Sequence, residues 1–520
     1  MKRQQALVVD NQQLRPALHR LSLGVPGLVA TPGQFLHVLC REPRPERIRH
    51  VRRAWRWDER GQPHELFARD AKGDCTLHQL PHGPVRPVYL TDKQREGNVK
   101  AFVDLTDREL EEYHALYVRA VRAVVARHPV DLIHANHLVW QPVVAAEAGV
   151  PFVVFPHGSS IEYTVRADDR FLAPARRALD AAAGLITGSR EVLARVLELF
   201  PRRQRELERK GRIVGIGVDT SLFAPVERAR RRESVARLEG PFGGKTPELC
   251  DDLRARLAAG EWDAVGRYHD AYDHGQPDAD LAAKLARVPF EEGQVCLFVG
   301  ALTAGKGVQG LLTAFPRLLP AHLLVVGSGA YREVLEALVH AIATGDQALF
   351  DHLARNGFDL DRSNIAGGWP DIGGPVPRCP ELASHVHFLG RLDHDRLRHL
   401  FGCADVAVFP SVVPEAYPLV VIEALANGVP PAVSDFSGFR DGLDALEPFL
   451  GRDLVDRLRL PAGGQGRVAG IAERIRGLLR DAALRERRPD LRRLAVEHFD
   501  WSVRAREMVS VYESVLAGGA

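Results

Sequence analysis

The sequence predicts an α/β protein with two doubly wound parallel sheets, one in each of two domains that face each other across a cleft. Two observations support this prediction. From about residue 106 onwards, short apolar runs alternate with amphipathic helical patterns, which is typical of parallel strands joined by helices. At 520 residues, the chain is also too long for a single hydrophobic core.

The first domain is predicted over residues 1–225, on the acceptor side of the cleft. Its opening hundred residues carry weak signals, with candidate strands at 6–9 and 35–39. The pattern becomes clear at Thr106 or Asp107, either of which can cap a helix. We expect helices at 107–127 and 141–148, a long helix ending near 176 and another at 190–199, with strands at 131–137, 151–158, 184–189 and 212–219.

The second domain is predicted over residues 291–486, after an inserted helical segment at 226–290. Its first strand, 295–300, is continuously apolar, as a strand buried on both faces must be. A second insertion at 339–384 contains a glycine- and proline-rich run and predicts a long irregular loop. Residues 487–520 are predicted to form two helices that cross back to the first domain.

The composition excludes several classes of protein. The 69 basic and 67 acidic residues give a net charge of +2, which does not favour nucleic acid as a partner. No apolar run approaches the length of about 18 residues that a membrane span needs, and the N-terminus lacks the apolar core of a signal peptide. The six cysteines contain no C-x-x-C pair, which fits a reducing compartment, so we expect a cytoplasmic protein.

The second domain is organised around residues 411–435, which read SVVPEAYPLVVIEALANGVPPAVSD. An apolar strand precedes this stretch, Pro418 begins a helix and Gly428 ends it. The helix N-terminus offers backbone N–H groups to a phosphate, while Glu415 and Glu423 can accept hydrogen bonds from hydroxyls on either side. The pattern predicts a nucleotide-sugar site, and two incidental surface glutamates are the alternative.

The same residues resemble a family signature. It is formed by Glu415, Ala416, Tyr417, Pro418, Leu419 and Glu423. This motif is similar to that of the retaining glycosyltransferases of family four, within the glycogen-synthase-like and phosphatidylinositol-mannosyltransferase-like GT-B superfamily. The resemblance covers residues 295–520 and, more weakly, 130–225. It implies Rossmann-like domains and the transfer of a hexose from a nucleoside diphosphate sugar, with UDP- or GDP-sugars as the expected donors, to an acceptor hydroxyl.

The resemblance also implies roles for individual residues. Lys306 follows a strand and precedes a helix, which places its ammonium at the carboxyl edge of the sheet, where it would neutralise the diphosphate. Glu415 and His157 would contact the donor sugar, and Glu423 would bind the ribose. The other expected donor-site residues are Gly300, Gly327, Gly329, Phe388, Leu389, Ala416, Tyr417, Pro418 and Leu419. No metal or further cofactor is implied, and no residues have the spacing of metal ligands.

The sequence departs from the family pattern at two places. The family's glycine–arginine pair is Gly300–Ala301 here, and no Gly-Gly loop follows a first strand before residue 40. Losing a bidentate arginine could weaken leaving-group stabilisation by about 1.5–3 kcal/mol. Three alternatives therefore stay open, namely a sugar-nucleotide epimerase, a phosphorylase and an inactive nucleotide-sugar-binding homologue.

The acceptor side is less well defined by the sequence. An arginine-rich stretch at 41–60, with Trp55 and Trp57, could contact an anionic acceptor or lipid headgroups, or it could be a solvated face. Glu162 and Asp168 are weaker acceptor-side candidates. The expected partners are a small-molecule donor and acceptor, and peripheral contact with a membrane stays open.

Overall fold

The computed structural model describes most of the chain, and it does so over these residues: 5–10, 34–39, 51–60, 62–68, 75–80, 83–89, 98–128, 130–268, 271–356, 372–417, 419–464 and 466–518. Pro418 and residues 41–50 of the arginine-rich stretch lie outside the described residues. The chain divides into two compact units. Unit 1 comprises Met1–Gly217 and Phe499–Ala520, and unit 2 comprises Val218–His498.

Unit 1 contains a mainly parallel sheet. The strands of this unit are β1 Gln5–Asp10, β2 Gln34–Leu39, β3 Val51–Trp57, β4 Pro63–Ala68, β5 Cys75–Gln79, β6 Arg86–Val88, β7 Val99–Ala101, β8 Leu132–Asn136, β9 Phe152–Phe155, β10 Gly184–Thr187 and β11 Gly211–Ile213. Its α-helices of four residues or more before residue 217 are α1 Asp107–Arg127, α2 Gln141–Ala146, α3 Leu172–Ala181, α4 Arg190–Leu199 and α5 Gln204–Lys210. Nine strands follow the order β11-β10-β9-β8-β1-β2-β5-β3-β4, with only β3 and β4 antiparallel, while β6 and β7 pair separately.

Local sequence explains where several of these elements begin and end. α1 begins after Thr106, whose side chain accepts the amide of Glu109 while the Glu109 carboxylate accepts the amide of Thr106. The long helix expected up to residue 176 is wrong, because Asp168 has an extended backbone and caps a new turn by accepting the amide of Arg170 at 2.9 Å. The strand expected at 212–219 ends early, at Ile213.

Unit 2 contains a sheet of six parallel strands. They are β12 Val295–Val299, β13 His322–Val326, β14 Val386–Gly390, β15 Val406–Phe409, β16 Pro431–Ser434 and β17 Arg459–Leu460. Its helices are α6 Arg231–Val235, α7 Pro247–Ala258, α8 Leu281–Ala286, α9 Val308–Ala314, α10 Arg332–Thr344, α11 Gln347–Asn356, α12 Leu382–His385, α13 His394–Phe401, α14 Leu419–Ala426, α15 Ser437–Asp444, α16 Glu447–Leu450, α17 Arg452–Leu458, α18 Arg467–Arg480, α19 Ala482–Glu486 and α20 Arg488–Leu494.

The strand order of unit 2 is β14-β13-β12-β15-β16-β17, and every neighbouring pair is parallel. Successive strands therefore extend the sheet in one direction from β12 and then in the other from β15. This is a doubly wound sheet, and its topological switch point lies between β12 and β15. The α/β class with parallel sheets, predicted from the alternating pattern, is confirmed.

The last helix of the chain, α21 Trp501–Leu516, belongs to unit 1. Its residues Met508 and Tyr512 are buried in one hydrophobic cluster with Val153 of β9. The Tyr512 hydroxyl lies 2.7 Å from Nδ1 of the buried His134. Burial raises the pKa of Tyr512, so the hydroxyl stays protonated in this core.

The inserted segment 226–290 joins unit 2 through buried charges. Asp278 is wholly buried and accepts two hydrogen bonds from Arg332 of α10, each at 2.6 Å. Lys245 is also wholly buried and contacts Glu333 at 3.0 Å and Glu336 at 2.5 Å. Burial alone would lower the pKa of Lys245, but the two glutamates raise it above its ordinary value. These contacts fix the insertion to α10.

The insertion also contacts the edge strand β14. The amide of Asp278 donates to the carbonyl of Leu389 at 3.0 Å, and the amide of Arg391 donates to the carbonyl of Gln276 at 3.1 Å. A single antiparallel bridge joins Pro277 to Gly390, between those two bonds. All five residues of β14 are buried although the strand lies at the edge of the sheet.

The second insertion differs from its expected form. An irregular loop was predicted from residue 339, but α10 continues to Thr344 and α11 follows it. The reason is the apolar sequence of α10, whose residues are buried on nearly every side of the helix up to Ile342. Residues 357–371 of this insertion lie outside the described part of the chain.

Among the described residues, no helix is long and apolar enough to cross a membrane.

Replacing Asp278 by alanine is expected to destabilise unit 2 strongly, because Arg332 and Lys284 would both lose their contact with this buried carboxylate. Loss of one member of a buried ion pair costs about 3–5 kcal/mol. The control is Asp490→Ala, since Asp490 pairs with Arg493 at 3.0 Å on the surface and its removal should cost less than about 1 kcal/mol. Urea denaturation measures both, and equal midpoints for the two variants would contradict the expected difference.

Candidate active site

Two charged side chains meet at the topological switch point of unit 2. Lys306 follows β12 and Glu415 follows β15, so both lie beyond the carboxyl ends of adjacent strands. The Nζ atom of Lys306 donates to Oε1 of Glu415 at 2.6 Å. Their side chains are 32% and 18% exposed, which leaves the pair accessible to a ligand. In doubly wound sheets this edge is where ligands bind.

The loops that carry this pair are packed against each other through their backbones. Gly307 has φ 68°, and a Cβ built on it would lie 1.8 Å from the carbonyl oxygen of Pro410. The amide of Val412 donates to the carbonyl of Gly305 at 2.8 Å. Only glycine permits this approach and this backbone conformation, so Gly307 determines the separation of the two loops.

Glu415 is held by its side chain and by its backbone. The Ser411 hydroxyl lies 2.9 Å from Oε1 of Glu415 and 2.9 Å from the carbonyl of Gly305, and its single hydrogen can serve one of them at a time. The carbonyl of Glu415 accepts hydrogen bonds from the Ser437 hydroxyl and the Gly438 amide, both at 3.0 Å. Ser437 has φ 53°, an uncommon conformation for a residue with a side chain.

A buried arginine also binds the loop that precedes Glu415. Arg467 is 2% exposed and donates to the carbonyl of Pro410 at 2.6 Å and to that of Pro461 at 3.1 Å. These carbonyls follow β15 and β17, so one guanidinium ties together the ends of two strands. The loop before Glu415 is therefore preorganised.

The second glutamate of the motif lies within α14. Glu423 is 7% exposed, and its Oε1 lies 3.3 Å from Nε2 of His394. At the start of the helix, the amide of Leu419 donates to the carbonyl of Tyr417 at 3.1 Å. Leu419, one of the expected donor-site residues, thus has its amide paired within the loop, and Pro418 has no backbone N–H to offer.

The glycines after β13 pack against the loop after β12. A Cβ on Gly327 would lie 1.8 Å from the carbonyl oxygen of Gly300, and one on Gly329 would lie 2.3 Å from that of Leu302. The amide of Leu302 donates to the carbonyl of Ser328 at 2.9 Å. The close approach at these glycines is thus made by the neighbouring loop, and Ala301, which stands where the resembled family has an arginine, is exposed.

Phe388 and Leu389 lie at the end of β14, on the far side of β13 from Lys306. Phe388 is 8% exposed, and the guanidinium carbon of Arg332 lies 5.8 Å from its ring centroid. The carbonyl of Gly390 accepts the amide of Gly327 at 2.9 Å, which joins this strand end to the glycine turn.

His157 lies in unit 1, two residues after β9. Its Nε2 atom lies 3.0 Å from Oδ1 of Asn136, and its ring centroid is 4.6 Å from that of His137. The acceptor-side candidates Glu162 and Asp168 are engaged in ion pairs, at 3.5 Å with Arg166 and 2.8 Å with Arg170 respectively. Arg170 lowers the pKa of Asp168.

Several residues at these sites were not found from the sequence. They are Ser411, Ser437, Arg467, His394 and Asn136. Ser411 directly follows a strand, which could have indicated it. Arg467 is far from Pro410 in sequence, so no local pattern could reveal the contact.

Among the described residues, no three His, Cys, Asp or Glu side chains are grouped so that they could hold a metal ion.

Replacing Gly307 by alanine is expected to separate the two loops and destabilise unit 2 by about 2 kcal/mol or more, because the residue has a positive φ and no room for a Cβ. Gly477→Ala is the matched control: Gly477 lies within α18 with nothing within 4 Å of the added atom. That variant should gain up to about 1 kcal/mol. The midpoints of urea denaturation measure the loss of stability in G307A and the gain in the control. An unchanged midpoint for G307A would refute the steric argument.

Comparison with known proteins gives a family for part of this chain. The Glycosyl transferases group 1 family matches residues 380–488, which include Glu415 and Glu423. A phosphatidyl-myo-inositol mannosyltransferase of Mycobacterium tuberculosis is 33% identical over 255 residues, 47% of this chain and 53% of that protein. The chain spans about half or less of the length of the curated relatives it matches.

Solved structures share the fold along the whole chain. A sucrose-phosphate synthase from Thermosynechococcus elongatus has a TM-score of 0.55 at 18% identity, over 99% of this chain and 100% of that one. The Anabaena protein HepE, in complex with UDP, has a TM-score of 0.55 at 13% identity, over 98% and 100%. The predicted fold is confirmed: this chain has the GT-B fold, and its residues 380–488 match the Glycosyl transferases group 1 family.

Proposed function

We propose that this protein is a retaining hexosyltransferase, which moves a hexose from a nucleoside diphosphate sugar to an acceptor hydroxyl. The observation that carries the proposal is the Lys306–Glu415 pair at the topological switch point of the unit 2 sheet. A cation there suits a diphosphate, and a carboxylate beside it suits a sugar hydroxyl. The relative that is named a mannosyltransferase and the neighbour bound to UDP support the same donor class.

In this proposal, Lys306 stabilises the leaving diphosphate. Its ammonium is a compact charge that can bind two phosphate oxygens while it keeps contact with Glu415. The N-terminal end of α14 adds the positive end of a helix dipole near the same loop. As the bond from the sugar to the diphosphate lengthens, negative charge grows on the leaving oxygen, and a preorganised cation stabilises that charge most.

The remaining roles follow the family resemblance. Glu415 would accept a hydrogen bond from the sugar near its reacting carbon, held in place by Ser411. Glu423 would bind the ribose hydroxyls, with His394 beside its carboxylate. His157 would orient the sugar through its imidazole or share the developing positive charge through its backbone carbonyl. The acceptor hydroxyl would attack the face from which the diphosphate leaves, which preserves the anomeric configuration.

Lys306→Ala is expected to weaken binding of the donor. Wild-type protein at 100 times the dissociation constant of its preferred nucleotide sugar should gain about 2.7 kcal/mol of stability, measured as a thermal shift against UDP-, GDP-, ADP- and TDP-sugars. Loss of a charge-assisted hydrogen bond should weaken binding by about ten- to a hundredfold. The stabilisation of the variant should then fall to between about 0.4 and 1.4 kcal/mol at the same ligand concentration.

The matched control for this experiment is Lys100→Ala. Lys100 pairs with Glu109 at 2.6 Å, with side chains 35% and 21% exposed, so distance and exposure nearly equal those of Lys306 and Glu415. Only the location of the pair differs. The control should keep the full thermal shift, and a loss of shift in both variants would remove the support for a donor site at Lys306.

Turnover should retain the configuration of the donor sugar. An α-linked nucleotide hexose should give an α-linked product, which NMR of the anomeric proton distinguishes from the β-product at the first turnover. Chelation with EDTA should leave the rate unchanged, because a lysine and a helix dipole neutralise the diphosphate. A product of inverted configuration would exclude the proposed same-face attack.

A second candidate function is favoured by Ala301, which is exposed where the family has an arginine. Without that guanidinium the chain could bind a nucleotide sugar and not turn it over. Such a protein would give the thermal shift and no product with any acceptor, and Glu415→Gln would leave its ligand affinity unchanged. An active transferase would lose turnover in the same variant.

A further inference from the structure

Two buried side chains of unit 1 hold the two polar groups of His157. Oδ1 of Asn136, the last residue of β8, lies 3.0 Å from the imidazole Nε2. The hydroxyl of Ser160 donates to the backbone carbonyl of His157 at 2.9 Å. Asn136 and Ser160 are both wholly buried, whereas His157 is partly exposed.

These residues lie where the strand order of the unit 1 sheet reverses. From β8 the chain adds β9, β10 and β11 on one side, whereas β1 and β2 extend the sheet on the other, so the carboxyl end of β8 is a topological switch point. His137, directly after β8, has φ 70°, and its amide donates to the carbonyl of Phe155 at 2.8 Å. Ser160 also accepts the amide of Leu138 at 3.0 Å, which ties the turn after β8 to the turn that carries His157.

The asparagine is costly at this position. Its Nδ2 atom is buried and finds no hydrogen-bond partner within the described part of the chain. An unpaired buried donor costs free energy that a leucine of similar volume would avoid. The amide is therefore poorly explained by packing, and its contact with His157 is the interaction that distinguishes it from an apolar side chain.

We infer that Asn136 and Ser160 are positioning residues for His157. Because the amide oxygen can only accept, it favours the tautomer with the proton on Nε2, in which Nδ1 is the accepting nitrogen. Ser160 fixes the direction of the backbone carbonyl in the same way. The consequence for sugar transfer rests on the proposed function of His157, while the tautomer and orientation do not.

Asn136→Leu and Ser160→Ala test this inference, and Thr164→Val is the matched control. The hydroxyl of Thr164 is buried in the same segment and has no partner among the described residues, so the control also removes one buried polar group. Protein labelled with ¹⁵N-histidine reports the tautomer of His157, whose resonances are assigned by their absence in His157→Gln. The wild type and T164V should show protonated Nε2, and N136L should show a mixture of tautomers.

Turnover provides the second readout. N136L and S160A should each lower kcat about tenfold with less than a twofold change in the KM for the donor, because positioning acts on the reacting geometry. In the His157→Gln background, N136L should cause no further loss, whereas a purely structural effect would be additive. Thermal unfolding checks that each variant is folded. If N136L does not fold, the kcat of S160A provides the test.

Two results would overturn the inference: unchanged ¹⁵N shifts of His157 in N136L, or additive losses in the double variant. If the wild type shows no turnover with any donor, the proposed function fails. The NMR comparison then still decides the positioning of His157, so failure of the inference and failure of the function are distinguishable.

Discussion

The contact between Gly307 and the carbonyl of Pro410 is the constraint on which the candidate active site depends. It brings the loop after β12 against the loop after β15, and Lys306 and Glu415 meet as a result. The guanidinium of Arg467 donates a hydrogen bond to the same carbonyl. A charged pair at a sheet edge is common, but here backbone packing fixes the separation of the two loops that carry it.

The pairing of Lys306 with Glu415 has a cost for ligand binding as well as a benefit. The carboxylate keeps the ammonium in one place, yet it also neutralises part of the charge that a diphosphate needs. A ligand that brings both a diphosphate and a sugar hydroxyl can satisfy the two side chains together. Under the proposed function, a free phosphate would contact the lysine and be repelled by Glu415, whereas the sugar of a complete donor would offer Glu415 a hydroxyl.

The sequence predicted the fold well because parallel strands joined by helices leave a local pattern. Apolar runs alternating with helical stretches reveal parallel strands, and the Glu415-to-Glu423 spacing lies within a single loop and helix. The contacts of Arg467 and Asn136 depend on residues distant in sequence, so no pattern indicated them. The turn at Asp168 and the helices after residue 339 were missed because local capping and apolar sequence outweighed the broader composition.

The segment from Gln276 to Asp278 has a consequence for the solubility of the whole chain. β14 is an edge strand, and an uncovered edge presents backbone groups to which another molecule can add a strand. The insertion occupies the carboxyl end of that edge and is anchored by the buried pair of Asp278 and Arg332. Shortening the insertion would uncover this apolar edge strand. We therefore expect the shortened protein to self-associate through that edge.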